Sequence, residues 1–347
     1  MKRKVTLSAL ALAGMLSAAP FTLKAQGGNT APTASKVVYD FQHFNDIKML
    51  QLFEKAVKEG KRYPTYEELK EAEAAGLADE IEFVRSHVRK RSILPRKDRL
   101  IQSTFETREL FMNIPAGAGR TTGGYPSSDF ASDNFSMWNY TNLFGAWNHG
   151  LFQAPGSWAD AAHKNGTDLL SGVKFFDTTG NPGGVGAEGW LPILKAKNTD
   201  GTFKYAKPMI YMLQYLGLDG INYNWEASSY NDSEVIAFHQ KLYEIAKAEK
   251  FDNFHIAIYT SNNSLTSGNV EALYGKDKKK TADVMLNYVA NDFTYGMKTS
   301  VAQAKAAMGT ADGVYAGVWM VTMNRAWSRV SATPECGRLL LGRKRGR

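Results

Sequence analysis

From about residue 105 onward, short apolar runs alternate with amphipathic stretches, and this alternation limits the folds that the chain can form. We predict seven strands, at 109–114, 141–147, 168–176, 217–226, 254–260, 282–289 and 313–320. Between several of them lie helical stretches, at 156–166, 233–250 and 300–309. Alternating strands and helices build parallel sheets with right-handed crossovers. The pattern predicts an α/β fold, a (β/α)8 TIM-barrel, with the doubly wound sheet as its rival.

The two ends of this region set the expected domain boundaries. No eighth strand is identifiable after Trp327, so we expect an incomplete barrel over 105–327 and a basic tail over 328–347, truncated or frame-shifted. Upstream, 26–104 is interpreted as a flexible leader followed by an N-terminal helical appendage. Its clearest helix is predicted over 64–91, where Thr65 caps the first turn and Glu68 completes a capping box.

The N-terminus has the pattern of an export signal over 1–25, a short basic region followed by an apolar run. We therefore expect an exported protein, in the periplasm, at the cell surface or outside the cell, with no membrane span after cleavage; an uncleaved membrane anchor is the alternative. Cys336 is the only cysteine and cannot form an internal disulfide. Nine of the positive charges lie in the first 25 and last ten residues, which leaves 26–337 with a net charge of −1. This near-neutral body gives no case for a nucleic-acid partner.

Several common site motifs are weak or missing. The segment "GVGAEG" at 184–189 matches GxGxxG, but it lies beyond its strand and lacks the acidic residue expected downstream. The six histidines form no metal-binding motif, and His163 is interpreted as a packing or capping residue. No GxSxG elbow is present. We expect neither a cofactor nor a metal.

The stretch "LGLDGINYNWEAS" at 216–228 carries the candidate chemistry. Asn222, Asn224 and Glu226 alternate with Tyr223 and Trp225, so a strand would turn the polar side chains to one face and the aromatic ones to the other. A carboxylic acid at a strand end suits proton donation to a leaving oxygen. Most glycosidases add a second carboxylate, whereas the neighbours here are amides, as suits a substrate that brings its own acetamido nucleophile. The structural alternative is a buried polar strand end satisfied by its neighbours.

The motif "DGINYNWE" at 219–226 resembles that of glycoside hydrolase family 85, endo-β-N-acetylglucosaminidases that cut the chitobiose core of N-glycans. Its Asp-Gly start and N-x-E end fit the family pattern. Similar segments extend the resemblance over about 107–327, at 123–125, 138–176, 255–265, 284–289 and 312–320. A more distant likeness is to the chitinase-like family 18, whose D-G-x-D-x-D-x-E motif would require both inner aspartates to have become asparagines.

The resemblance implies roles for individual residues. Glu226 would be the general acid/base, and Asn224 would hold the acetamido group and stabilise an oxazoline-like intermediate, while Tyr259 would hydrogen-bond nearby. Asn222 stands where the family usually has an apolar residue, and we expect it to contact substrate. Three aromatic residues are candidate sugar-stacking walls or simple barrel packing, namely Trp147, Tyr288 and Trp319.

The resemblance therefore implies a retaining, substrate-assisted endo-β-N-acetylglucosaminidase that hydrolyses the GlcNAc-β-1,4-GlcNAc bond of N-linked glycans or glycoproteins. The alternative is a non-catalytic protein that binds N-glycans or chitin oligosaccharides on a glycosidase-like barrel. Glu226 separates the two hypotheses, because a binding protein has no need to keep that acid.

Overall fold

Seven parallel strands form one sheet in the computed structural model, which describes residues 46–89, 109–114, 137–148, 152, 154–173, 187–287 and 293–318. In their order along the sheet, the strands are Phe111–Ile114 (β1), Leu143–Asn148 (β2), Asp168–Val173 (β3), Gly220–Asn224 (β4), His255–Tyr259 (β5), Asp283–Leu286 (β8) and Val314–Ala316 (β9). Each strand coincides with one of the seven predicted runs, which confirms the predicted parallel sheet.

The helices lie between the strands and ahead of them. Their bounds are Asp46–Lys58 (α1), Tyr66–Ala74 (α2), Ile81–Val84 (α3), Gly156–Lys164 (α4), Ala187–Lys195 (α5), Ala206–Leu216 (α6), Ser233–Ala248 (α7), Val270–Leu273 (α8) and Phe293–Met308 (α9). A small antiparallel hairpin, β6 at Gly275–Lys276 and β7 at Lys279–Lys280, precedes β8. Within the described ranges, no helix is long and apolar enough to cross a bilayer.

The sheet curls so that its two described edges approach each other. The ring of Phe111 on β1 lies 5.4 Å, centroid to centroid, from that of Tyr315 on β9. Phe111 also belongs to one buried apolar cluster with Leu143, Leu170 and Ala257, drawn from three further strands. Side chains from first and last strands can share a core only if the sheet is nearly closed. Over the described residues this confirms the predicted (β/α)8 barrel with seven of its strands, and the predicted tail at 328–347 lies outside them.

Helix α7 shows how the outer layer is fixed to the barrel. Asp232 caps its first turn by accepting a hydrogen bond from the backbone N–H of Glu234 at 2.8 Å. The buried residues follow helical spacing on one side, at Val235, Phe238, His239, Leu242 and Ala246. That apolar side faces β4 and brings His239 against the back of the candidate site.

The N-terminal segment is divided into short helices, so the single helix predicted over 64–91 is wrong. The predicted capping box at Thr65 and Glu68 is present and begins α2. Gly76 then takes a left-handed conformation (φ 70°), and the N–H of Leu77 donates to the carbonyl of Ala72 at 2.7 Å. This glycine-dependent C-cap ends the helix, because the chain turns away from the axis there.

Residues 46–89 pack on the helices that follow β3 and β4. Helix α1 lies against α6, and Arg62 bonds Glu249 and Gln214, each at 2.7 Å. Farther along, the backbone N–H of Ser86 donates to Leu216 at 2.8 Å. The segment therefore contributes to the outer layer of the described unit.

A buried network of charges lies at the amino ends of the strands. His255 contacts Asp283 at 2.9 Å and Asp168 at 3.6 Å, and His163 contacts Asp219 at 2.8 Å. Burial opposes the charge of His255, but the two carboxylates outweigh it and raise the pKa of the imidazole to about 10. These acids are paired within the network, at the end of the barrel that normally serves stability.

Candidate active site

Strand β4 turns its polar and aromatic side chains to opposite faces, as the alternation predicted. Asn222 is fully buried on the inner face, where its Nδ2 donates to Asn113 Oδ1 on β1 at 3.0 Å. Tyr223 is equally buried on the outer face, and its hydroxyl lies 3.3 Å from Nε2 of His239. The inner face of β4 is thus polar, and it meets a further amide, Asn113, across the barrel.

The chain just beyond β4 is fixed on both sides of the strand end. The backbone N–H of Trp225 donates to the carbonyl of Tyr259 at 2.8 Å, and its indole N–H donates to Ser229 Oγ at 3.0 Å. Glu226 follows directly and is exposed to solvent. A solvent-exposed carboxyl group on a fixed backbone suits an acid that acts on a substrate bound from solution.

Asn224 and Tyr259 lie side by side on the inner face. They are register partners on β4 and β5, and paired residues of parallel strands point to the same side. Tyr259 is buried, and its hydroxyl accepts a hydrogen bond from Asn287 Nδ2, at the end of β8, at 3.1 Å. The structure therefore brings together two of the predicted catalytic residues close to the strand end that carries the third.

Two amide oxygens on this face have no hydrogen-bond partner among the described residues. They are Oδ1 of Asn222 and Oδ1 of Asn224, and both are buried. A buried acceptor left unpaired costs about 1–3 kcal/mol. Such groups in native proteins require an explanation, and a bound donor is the simplest one here.

Sequence reasoning missed Asn113 and Asn287, which contact the predicted site residues Asn222 and Tyr259. A signal for Asn113 was available, because it lies two residues after Phe111 in "FMNI" and so shares the inner face with that buried ring. No comparable signal identified Asn287, whose partner is 28 residues away on another strand.

Of the three predicted sugar-stacking residues, one lies on a described strand. Trp147 lies on β2 opposite Gly172, and its backbone register is defined. Tyr288 and Trp319 lie outside the described residues, as does the first half of the 184–189 glycine motif. The sugar contacts expected of these three aromatic residues remain predictions.

The described strand ends differ in their chemistry. Glu226 follows β4, whereas β5 is followed by Thr260 and β8 by Asn287. Over the same described part of the chain, no group of three or more His, Cys, Asp or Glu side chains has a metal-binding arrangement. The arrangement can supply one acid with amide and phenol groups beside it.

Fold and site together define a class, a TIM-barrel enzyme with its chemistry at the carboxyl ends of the strands. The sequence model of glycosyl hydrolase family 85 matches residues 119–320, more than half of the 347 residues. The chain therefore belongs to glycosyl hydrolase family 85 and is a glycoside hydrolase. The likeness to family 18 remains a prediction.

Other comparisons add little. No curated protein matched the chain. A 1.4 Å crystal structure of a candidate alpha amylase from Salmonella typhimurium aligns at 15% identity with a TM-score of 0.25, covering 43% of this chain and 32% of that one. The aligned part thus spans about a third of that chain, and the alignment supports no argument.

Proposed function

We propose that the chain is an exported endo-β-N-acetylglucosaminidase that cleaves the GlcNAc-β-1,4-GlcNAc bond of N-glycan cores with retention of configuration. The observation that carries the proposal is the buried Oδ1 of Asn224, which has no partner among the described residues and lies next to Tyr259, two residues before the exposed Glu226. An acetamido N–H is a donor of the kind that this oxygen lacks.

In the first step, the carbonyl oxygen of the substrate's own acetamido group attacks the anomeric carbon. The bond from that carbon to the leaving GlcNAc oxygen breaks, and Glu226 donates its proton to this oxygen. An oxazolinium ion remains, with its N–H directed to Asn224 Oδ1. The amide oxygen and the Tyr259 hydroxyl lower the energy of the charge as it develops, because they are already positioned in a buried site.

In the second step, the Glu226 carboxylate takes a proton from water as the water oxygen attacks the anomeric carbon. The oxazoline ring opens and restores the acetamido group, so two inversions give net retention. The atoms balance with water as the sole co-reactant. Asn222 contributes to the floor of the site, and the three predicted aromatic residues would supply flat faces for sugar rings, Trp147, Tyr288 and Trp319. Export is inferred from the signal pattern at 1–25.

The test is incubation of the purified chain with a high-mannose glycoprotein, with both products weighed by mass spectrometry. We expect a protein that keeps one GlcNAc per site and a released glycan that begins with the other. Proton NMR during the first turnovers should show the β-anomer of the released glycan. An α-anomer as first product would refute the substrate-assisted route.

Two isosteric variants separate catalysis from binding. Glu226→Gln should lose at least about 1,000-fold in kcat/KM, since general acid and base catalysis are both removed. Glu234→Gln is the matched control, an exposed acid eight residues later on α7 whose loss should change nothing. A wild-type chain that binds the glycoprotein but releases no glycan would favour the non-catalytic binding protein.

A further inference from the structure

We propose that Met285, Asn113 and Asn222 form an ordered chain of side chains that fixes the orientation of the Asn222 amide and, through it, that of Asn224. This makes Asn113 a positioning residue for the reaction, and the inference rests on the proposed function. The chain runs across the inside of the barrel, from β8 to β1 to β4.

The order begins at the thioether of Met285. Asn113 Nδ2 approaches the sulfur at 3.9 Å, and a thioether sulfur can only accept a hydrogen bond. That contact places the amide nitrogen of Asn113 toward the sulfur and its oxygen toward Asn222. The weak sulfur contact therefore selects one of the two orientations of an otherwise symmetric amide.

The second link carries the order to β4. Because Asn113 offers its oxygen, Asn222 must offer its nitrogen, and the two atoms lie 3.0 Å apart. The carbonyl oxygen of Asn222 is then left on the other side, buried and without a partner in the described part of the chain. If both amides were reversed, Asn113 and Asn222 would still form a hydrogen bond. The Asn113 oxygen would then face the Met285 sulfur, however, and both of these atoms are acceptors.

The third link is supplied when substrate binds. Asn222 and Asn224 share the inner face two residues apart, about 6.6 Å along the strand, within reach of two Asn side chains. Asn224 Nδ2 is the donor that Asn222 Oδ1 lacks. This bond would direct Asn224 Oδ1 toward the acetamido N–H, so that both unpaired oxygens are satisfied at once.

Close packing supports a dedicated place for the Asn222 amide. A side chain at Gly145 on β2 would put its Cβ 2.5 Å from Asn222 Nδ2 and 2.7 Å from the Phe111 ring. Contacts this short force neighbouring atoms to move. The absence of a side chain at this position leaves room for the Asn222 amide beside the Phe111 ring.

Isosteric variants test the order of donors and acceptors. In Asn222→Asp an ionised carboxylate would face Asn113 Oδ1, and only the protonated acid could donate. We expect kcat to fall about 10-fold or more at pH 7, with recovery as pH is lowered relative to wild type. In Asn113→Leu, kcat should fall by about 10-fold with KM changed little. The conservative Asn113→Asp still accepts from Asn222, although its second oxygen then faces the Met285 sulfur, and it should restore part of that loss.

A second readout is independent of activity. In protein labelled at the Met285 methyl and at side-chain nitrogens, nuclear Overhauser effects should join that methyl to the Asn113 NH₂ protons. Equal loss in Asn222→Asp and Asn113→Asp, or an unchanged pH profile in Asn222→Asp, would overturn the proposal. A wild-type chain that cleaves no glycan would refute the proposed function. The Overhauser effect would then be the only test of the amide order, and its absence would refute that order.

Discussion

Replacing His255 by glutamine tests whether the charge network at the amino ends of the strands stabilises the barrel. The imidazole contacts both Asp168 and Asp283, and its side chain is 27% exposed. Removing one partner of a buried ion pair costs about 3–5 kcal/mol. Asp283 keeps Lys280 at 2.9 Å, and Asp168 keeps Asn253 at 3.0 Å. We therefore expect the lower end, a loss of about 3 kcal/mol in the free energy of unfolding at pH 7.

The same network predicts a pH dependence with a definite sign. The two carboxylates raise the pKa of His255 to about 10 against the opposing effect of burial, so between its unfolded pKa and that value the folded protein binds the extra proton. The stabilisation is complete below the unfolded pKa and is lost as pH rises through the folded one. Each pH unit in this window changes stability by about 1.4 kcal/mol, or about 2–3 kcal/mol between pH 7.5 and 9.5.

Urea unfolding at a series of pH values, followed by circular dichroism, measures this difference. The wild-type free energy of unfolding should fall with pH more steeply than that of His255→Gln, and the two curves should converge toward pH 10. His87→Gln is the matched control, because that histidine is exposed (59% of its side chain). Parallel curves for wild type and His255→Gln would refute the proposed role of the imidazolium.

Three further predictions concern single side chains. Gly145→Ala pushes its Cβ against the Asn222 amide and should cost about 1–3 kcal/mol in urea unfolding, together with a fall in kcat. Thr65→Ala removes the capping box of α2, in which Thr65 and Glu68 bond reciprocally, and should cost about 1 kcal/mol in the same assay. Burial lowers the pKa of His239 to about 3, so this imidazole stays neutral in the folded protein while it becomes protonated in the unfolded chain. The free energy of unfolding therefore decreases as pH falls from about 6.5 toward that value. His239→Gln should therefore flatten the acid side of the stability curve.

Each of these predictions has an outcome that contradicts it. Wild-type kcat in Gly145→Ala would mean that the Asn222 amide can move without consequence. An unchanged unfolding midpoint in Thr65→Ala would show that the cap is not formed in solution. Equal acid sensitivity of His239→Gln and wild type would mean that this imidazole is accessible to protons in the folded state.

Much of the fold was predictable because it depends on local pattern. The seven strands are short apolar runs, and their parallel arrangement follows from the helices between them. The helix predicted over 64–91 failed at Gly76, where a left-handed glycine ended α2 before a second helical turn began at Ile81. The residues before and after Gly76 both favour a helix, so the residue pattern gave no sign that the helix ends there.

The candidate site was predictable where it lies on one strand. Alternation along β4 correctly placed Asn222 on one face and Tyr223 on the other. Asn113 and Asn287 depend on contacts between strands distant in sequence, 109 residues apart for the Asn113–Asn222 pair. Such pairings follow from strand register and curvature, which a pattern of residue types does not encode.

The close approach of Gly145 to Asn222 makes the two positions interdependent during evolution. An alanine at 145 conflicts with the amide at 222 and with the Phe111 ring, and a smaller residue at 222 would relieve the first of these two conflicts. The two substitutions are therefore expected to be non-additive, and the alanine at 145 should cost less stability when the change at 222 has come first. Gly172, whose added Cβ would meet the Asn222 backbone oxygen, has no such escape, because no change of side chain at 222 moves that oxygen. A change at Gly145 can be compensated in part by neighbouring side chains, whereas Gly172 is fixed by the strand pairing itself.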